Sequence, residues 1–116
     1  MASKAHALLK ELSTTSGVHE ALVVGRDGFV IEHVGDMDAD GVGATVSTVI
    51  GTVEAMGKEC GQGNMFELMA EYAQGTIIAA PCGKDAVLGL VADSTANLGA
   101  VRQAVKRGIR DLERAL

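Results

Sequence analysis

Residues Val18 to Gly35 read VHEALVVGRDGFVIEHVG, and this stretch decides the fold. Two apolar runs flank Arg26-Asp27-Gly28. Asp-Gly adopts positive backbone φ at little steric cost, so the pair marks a tight β-hairpin turn. In the first run Ala21, Leu22, Val23 and Val24 are apolar on both alternating faces. Such a strand belongs inside a sheet that is covered above and below. The second run alternates more: Phe29 and Ile31 point one way, and Glu32 points the other with Val30 and Val34. That suits a strand nearer the sheet margin. Amphipathic helices from elsewhere in the chain must cover both faces of the hairpin.

Outward from the hairpin, Ala5 to Thr15 reads as a short helix whose stripe is Ala5, Leu8, Leu9 and Leu12, with Gly17 free to take a left-handed cap. After the hairpin, Asp38 is the expected N-cap of a long helix running to about Glu59. Val42, Val46, Val49, Val53, Met56 and Cys60 recur at spacings of four and three, so this stripe is expected on the sheet. The opposite face is Ala44, Ser47, Thr48, Gly51 and Ala55, all small, where an ordinary solvent face carries Glu, Lys and Gln. Gly in mid-helix costs roughly 1 kcal/mol against Ala. Small residues at this spacing instead let a second helix approach closely.

Gly61 to Asn64 reads as a loop, and Met65 to Tyr72 as a strand with Phe66, Leu68, Ala70 and Tyr72 on one face. Thr76 to Ala80 is a further strand closed by Pro81, which cannot donate to a ladder. Gly83-Lys84-Asp85 is a turn, and AVLGLVA from Ala86 to Ala92 is a second central strand. A last helix opens within Asp93 to Asn97, capped by Ser94 or Thr95, with Leu98, Val101, Val105, Ile109, Leu112 and Leu116 as its stripe. The connections between strands are short, so an antiparallel sheet of about five strands follows.

The 116 residues form one expected domain, residues 1–116, with 47% hydrophobic and 3% aromatic content. The core must therefore be aliphatic. A net charge of −5 without a large basic block argues against nucleic acid as a partner. Arg102, Lys106, Arg107 and Arg110 share a helix with Asp111 and Glu113 and read as a solvated face. No apolar run approaches the roughly 20 residues of a membrane span. The amphipathic N-terminus lacks a signal-peptide core, so a cytoplasmic location without membrane insertion is expected. Cys60 and Cys82 fit no disulfide or zinc pattern and read as buried or partly buried free thiols.

Signatures of chemistry are missing. Gly83-Lys84 is followed by Asp85 and position 78 is Ile, so there is no phosphate loop of the P-loop kind, and G-x-S-x-G is absent. Gly61-Gln62-Gly63 leads into a strand, as a structural loop does. His6, His19 and His33 stand at no metal-ligand spacing, and His19 with His33 is expected to be a cross-strand pair. Glu67 and Glu71, four residues apart on a strand, lie roughly 13 Å from one another, too far for paired carboxylate chemistry. The expectation is a protein that is not an enzyme and takes no cofactor, metal or small-molecule substrate.

The chain resembles the Roadblock/dynein light-chain superfamily, and within it the prokaryotic MglB-like members. The resemblance is carried by LLKEL before Gly17-Val18, the hairpin ALVVGRDGFVI, the strand AVLGLVA and ANLGAVR at the last helix. It implies an α+β fold of profilin and longin type. Five antiparallel strands carry one long helix on one face and two terminal helices on the other. It also implies a homodimer in which third strands meet edge to edge and long helices pair, and binding of a small Ras-like GTPase through those helices. On this chain the implied dimer or partner surface is Ala44, Ser47, Thr48, Gly51, Ala55 and Lys58 with Phe66 and Leu68. Such a module regulates its GTPase by ordering the GTPase's own residues. The competing readings are a light-chain-like structural adaptor without a GTPase, and a small-molecule sensor or enzyme, which needs a pocket of convergent polar groups.

Overall fold

The computed structural model describes residues 3–116. Its elements are α1 (Lys4–Ser13), β1 (Val18–Gly25), β2 (Val30–Val34), α2 (Ala39–Glu59), β3 (Leu68–Tyr72), β4 (Gly75–Cys82), β5 (Ala86–Asp93) and α3 (Leu98–Ala115). The strands form one sheet in the order β2-β1-β5-β4-β3, with every neighbouring pair antiparallel. Strands β1 and β5, apolar on both faces, lie inside the sheet as their sequences require. Ala21, Val23, Ile78, Leu88 and Leu90 face α1 and α3, whereas Leu22, Val24, Ala79 and Val87 face α2. The expected α+β fold is the observed one.

The hairpin turn lies at Asp27-Gly28. Gly28 has φ +92°, and the Gly25 N–H donates to the Phe29 carbonyl at 2.8 Å. Beyond it the β2 register slips. Val23 faces Glu32 while Val24 faces Val30, so Ile31 is an extra, bulged residue. Simple alternation therefore fails in β2. Val30 turns to α2, where it meets Gly43, while Val34 packs in the α1/α3 core and Glu32 receives Ser3 and His6 of α1.

Helix α2 starts where a buried carboxylate holds its entry loop. Glu20, 3% exposed, accepts from the Met37 N–H at 3.1 Å and bonds the His33 ring at 2.7 Å. Gly35 passes so close that a Cβ there would lie 1.5 Å from the Glu20 carboxylate. Asp38 then caps the helix through the Gly41 N–H, as expected. The sheet-facing stripe differs from the expected one. Gly43, Val46 and Ile50 are buried, but Val49 and Met56 are 39% and 60% exposed and Cys60 is exposed. The helix is turned by about 60° from the all-valine stripe. Gly43 sets this turn, because a Cβ there would lie 2.8 Å from Val30 and 3.2 Å from Val24. The helix presses close to the hairpin at a position that has no side chain.

Other boundaries move for local reasons. Met65 to Glu67 lie outside β3. Pro81 does not end β4 but pairs with Val87 inside it, at a point where β3, paired only as far as Ala79, leaves that edge of β4 free. Asn97, not Ser94 or Thr95, caps α3 by accepting from Ala100 N–H, because Asp93 engages both the N–H and hydroxyl of Thr95. Leu116, expected in the α3 stripe, is 48% exposed. His19 and His33 do not face each other: His19 pairs with Asp93 and His33 with Glu20.

Two substitutions check this arrangement. Ile50→Ala empties a fully buried site and should destabilise by about 2–5 kcal/mol, whereas Val49→Ala should cost under about 1 kcal/mol in the same urea titration. Equal losses would restore the valine stripe to the sheet. Gly28→Val places a β-branched residue at positive φ and should cost roughly 1–3 kcal/mol, read as a lowered thermal midpoint.

Candidate partner-binding surface

The outer face of α2 is smooth because its hydroxyls turn back onto the helix. Ser47 and Thr48 both donate to the Ala44 carbonyl, at 3.0 and 2.9 Å, and Thr45 and Thr52 donate to Gly41 and Thr48 in the same way. Hydroxyls satisfied within a helix present methyl and methylene groups outward and make no demand on solvent. Ala44, Thr48, Gly51, Ala55 and Lys58 are exposed, with Ser47 half-buried among them. At Gly51 a Cβ would meet no heavy atom within 4 Å.

The helix lies over β2, β1, β5 and the Ala79 part of β4, and leaves β3 and the rest of β4 only partly covered on this face. Val49, turned out of the core, forms a cleft with Leu68, Ala70, Tyr72 and Ile77 of β3 and β4. Beyond it a largely apolar hollow of about 320 Å³ is lined by His19, Met37, Tyr72, Ile77, Val91 and Asp93 among others. Strand β3, at the sheet margin, has among the described residues a partner on its β4 side only. The expected surface residues on α2 and Leu68 are thus brought to one side of the molecule. Phe66 is not among them. It precedes β3, is 86% exposed and lies across the sheet beside Arg102, Val105, Lys106 and Ile109 of α3. Val49 and Met56, which sequence periodicity placed on the sheet, extend the surface, as does Tyr72 on the β3 face it shares with Leu68 and Ala70. The signal that Val49 and Met56 turn outward was a second stripe, Gly43, Val46, Ile50, Val53 and Gly57, at equally helical spacing.

Electrostatics hold this surface without arming it. Arg26 in the hairpin turn grips the Glu54 carboxylate of α2 with two nitrogens, at 2.5 and 3.0 Å, and donates through Nε to the Lys84 carbonyl. That hydrogen bond raises the guanidinium pKa and holds the Glu54 carboxyl below its ordinary range. The Asp93 carboxyl at the rim of the hollow is held down to about 2 by the Thr95 hydroxyl, then His19 and the Thr95 N–H, so it stays an anion. Burial pushes the Cys82 thiol up to about 11, with Glu113 adding to it, so this cysteine is an inert core residue. Among the described residues no three His, Cys, Asp or Glu side chains gather as metal ligands.

The comparisons with known proteins agree with this geometry. An uncharacterised protein of Methanocaldococcus jannaschii, MJ1340, is 33% identical over 108 residues, covering 91% of this chain and 94% of its own length. Among solved structures, the gliding protein MglB of Thermus thermophilus superposes with TM-score 0.88 at 25% identity, over 99% of this chain and 93% of that one. Myxococcus xanthus MglB superposes with TM-score 0.89 at 19% identity, over 96% and 93%, a likeness of fold. The Roadblock/LC7 domain family matches residues 4–92, and the chain belongs to that family.

Proposed function

We propose that this protein is a non-catalytic, cytoplasmic, homodimeric module that binds and regulates a small Ras-like GTPase. The observation that carries the reading is the surface on one side of the sheet. There a helix face of small residues, with its hydroxyls turned inward, adjoins a partly covered sheet margin and a strand lacking an outer neighbour among the described residues. An apolar sheet margin and an unpaired edge are costly in water, and a second copy relieves both. Edge pairing through β3 would place Leu68 and Tyr72 at the seam and bring two α2 helices together at Ala44, Ser47, Thr48, Gly51 and Ala55. Lys58, exposed near the end of α2, then lies where a GTPase would meet the paired helices. The MglB-like resemblance supplies the class of partner. The second reading is an adaptor of light-chain type, which shares the dimer and lacks the GTPase.

Gly51→Leu separates these roles. The open space at Gly51 lets the protomer fold, and better helix propensity should add roughly 0.5–1 kcal/mol to its stability. The Leu side chain should force paired helices apart. Sedimentation at micromolar concentration should give a dimer for the native chain and a monomer for the mutant. Pull-down from native extract with a non-hydrolysable GTP analogue should recover a GTPase with the native chain and lose it with Gly51→Leu. A native chain that sediments as a monomer removes the dimer, and a dimer that retains no nucleotide-dependent partner leaves the adaptor reading.

A further inference from the structure

The protein is electrically two-sided. Helix α1 carries Lys4, Lys10 and Glu11, all exposed. Helix α3 carries Arg102, Lys106, Arg107, Arg110 and Arg114 against Asp111 and Glu113, again all exposed. The two helices together hold seven cations and three anions, a net of +4, while the remaining three cations and twelve anions leave the rest of the chain at −9. Glu32 beside His6 and Glu67 beside Arg102 bring the layer as a whole from +4 to +2, still basic against the total of −5. Arg102, Lys106, Arg110 and Arg114 follow one another at four-residue spacing, so they run along the outer side of α3 over about 18 Å. Arg102 pairs with Glu67 at 2.9 Å; among the described residues the other four α3 cations make no ion pair. At one edge of the row stands Phe66, 86% exposed, over an apolar floor of Val105 and Ile109.

We infer that the α1/α3 layer adsorbs to the surface of a bilayer containing anionic phospholipid, with Phe66 entering the headgroup region. Three observations choose a lipid surface over an acidic protein segment. The cations are spread over two helices and converge on no single anion, which matches charge distributed over a plane. The groove between α1 and α3, where a segment could lie, carries Glu11 and Asp111 against one cation, Arg107, a net negative lining that disfavours an acidic chain. An exposed aromatic ring at the margin of a cationic row is the arrangement by which peripheral proteins hold a membrane interface. The apolar face of α3 stays in the core, so no helix enters the membrane, and no described helix is long and apolar enough to cross one. The layer lies on the sheet face opposite α2, so adsorption and a partner on α2 are compatible.

The experiment is vesicle co-sedimentation of the full chain with phosphatidylcholine, alone and with added phosphatidylserine. The native chain should sediment only with the anionic vesicles and come off as salt rises. Each neutralised cation should weaken adsorption about fivefold, so Lys106→Gln with Arg110→Gln should lose about 25-fold while circular dichroism is unchanged. Lys84→Gln, outside the layer, should have no effect. The chain has no tryptophan, so Phe66→Trp gives a single reporter whose emission should shift to shorter wavelength on anionic vesicles. Absence of anion-dependent sedimentation overturns the proposal. So does adsorption that survives the double neutralisation, an equal loss in Lys84→Gln, or a Trp emission that vesicles leave unmoved. Binding of polyglutamate without vesicle binding also overturns it and assigns the layer to an acidic protein.

Discussion

Leu22 and Val23 are neighbours in the chain and lie in different cores. This is the constraint from which the rest of the molecule follows. A strand apolar on both faces exposes neither to water, so β1 and its partner β5 require a helical layer on each side. Two helices, α1 and α3, supply one layer, and α2 alone supplies the other. One helix is about 10 Å wide, and five strands spaced about 4.8 Å apart are wider than it can cover. The partly covered β3/β4 margin of the α2 face is the geometric remainder of that mismatch.

The closeness of α2 to the hairpin decides which of its residues are left over. Gly43 lets the helix backbone sink against Val24 and Val30, and this contact turns Ile50 inward and Val49 and Met56 outward. An apolar flank on α2 thus faces the same partly covered margin that the single-helix layer leaves behind. The small-residue face, the apolar flank and the free strand edge have one common cause in the seating of α2. Its entry is fixed independently by Glu20, whose carboxylate holds the Met37 amide beneath Gly35.

Much of this was legible in the sequence where the deciding interactions are local. Asp27-Gly28 placed the turn, Asp38 the cap and the doubly apolar runs the central strands, because turn chemistry and burial act over a few residues. The misplacements mostly arise where a distant contact decides. The bulge at Ile31 depends on pairing with β1, whereas the cap of α3 was missed for a local reason, the engagement of Thr95 by Asp93 two residues before it. The α2 stripe was ambiguous because two helical registers fit its valines, and a glycine, which carries no hydrophobic signal, chose between them. Phe66 followed a strand pattern that begins three residues before the strand itself, and it lies on the opposite side of the sheet from the expected surface. The basic layer was visible in part: α3 carries most of the imbalance in its own sequence, and its packing beside α1 joins the cations of both helices into one layer.

The Arg26 clamp has a kinetic meaning. One guanidinium joins the hairpin turn to residues 28 and 58 positions away in the chain, on α2 and on the β4–β5 turn. Such a contact closes only after the hairpin, the long helix and the second turn have each reached their places, since the loops between them must first be closed. Interactions absent from the folding transition state act on the unfolding rate. The clamp is therefore a latch on the finished protein: it adds little to the speed of folding and lengthens the lifetime of the folded state. Because both ends of the latch are partly exposed, dissolved salt loosens it and shortens that lifetime.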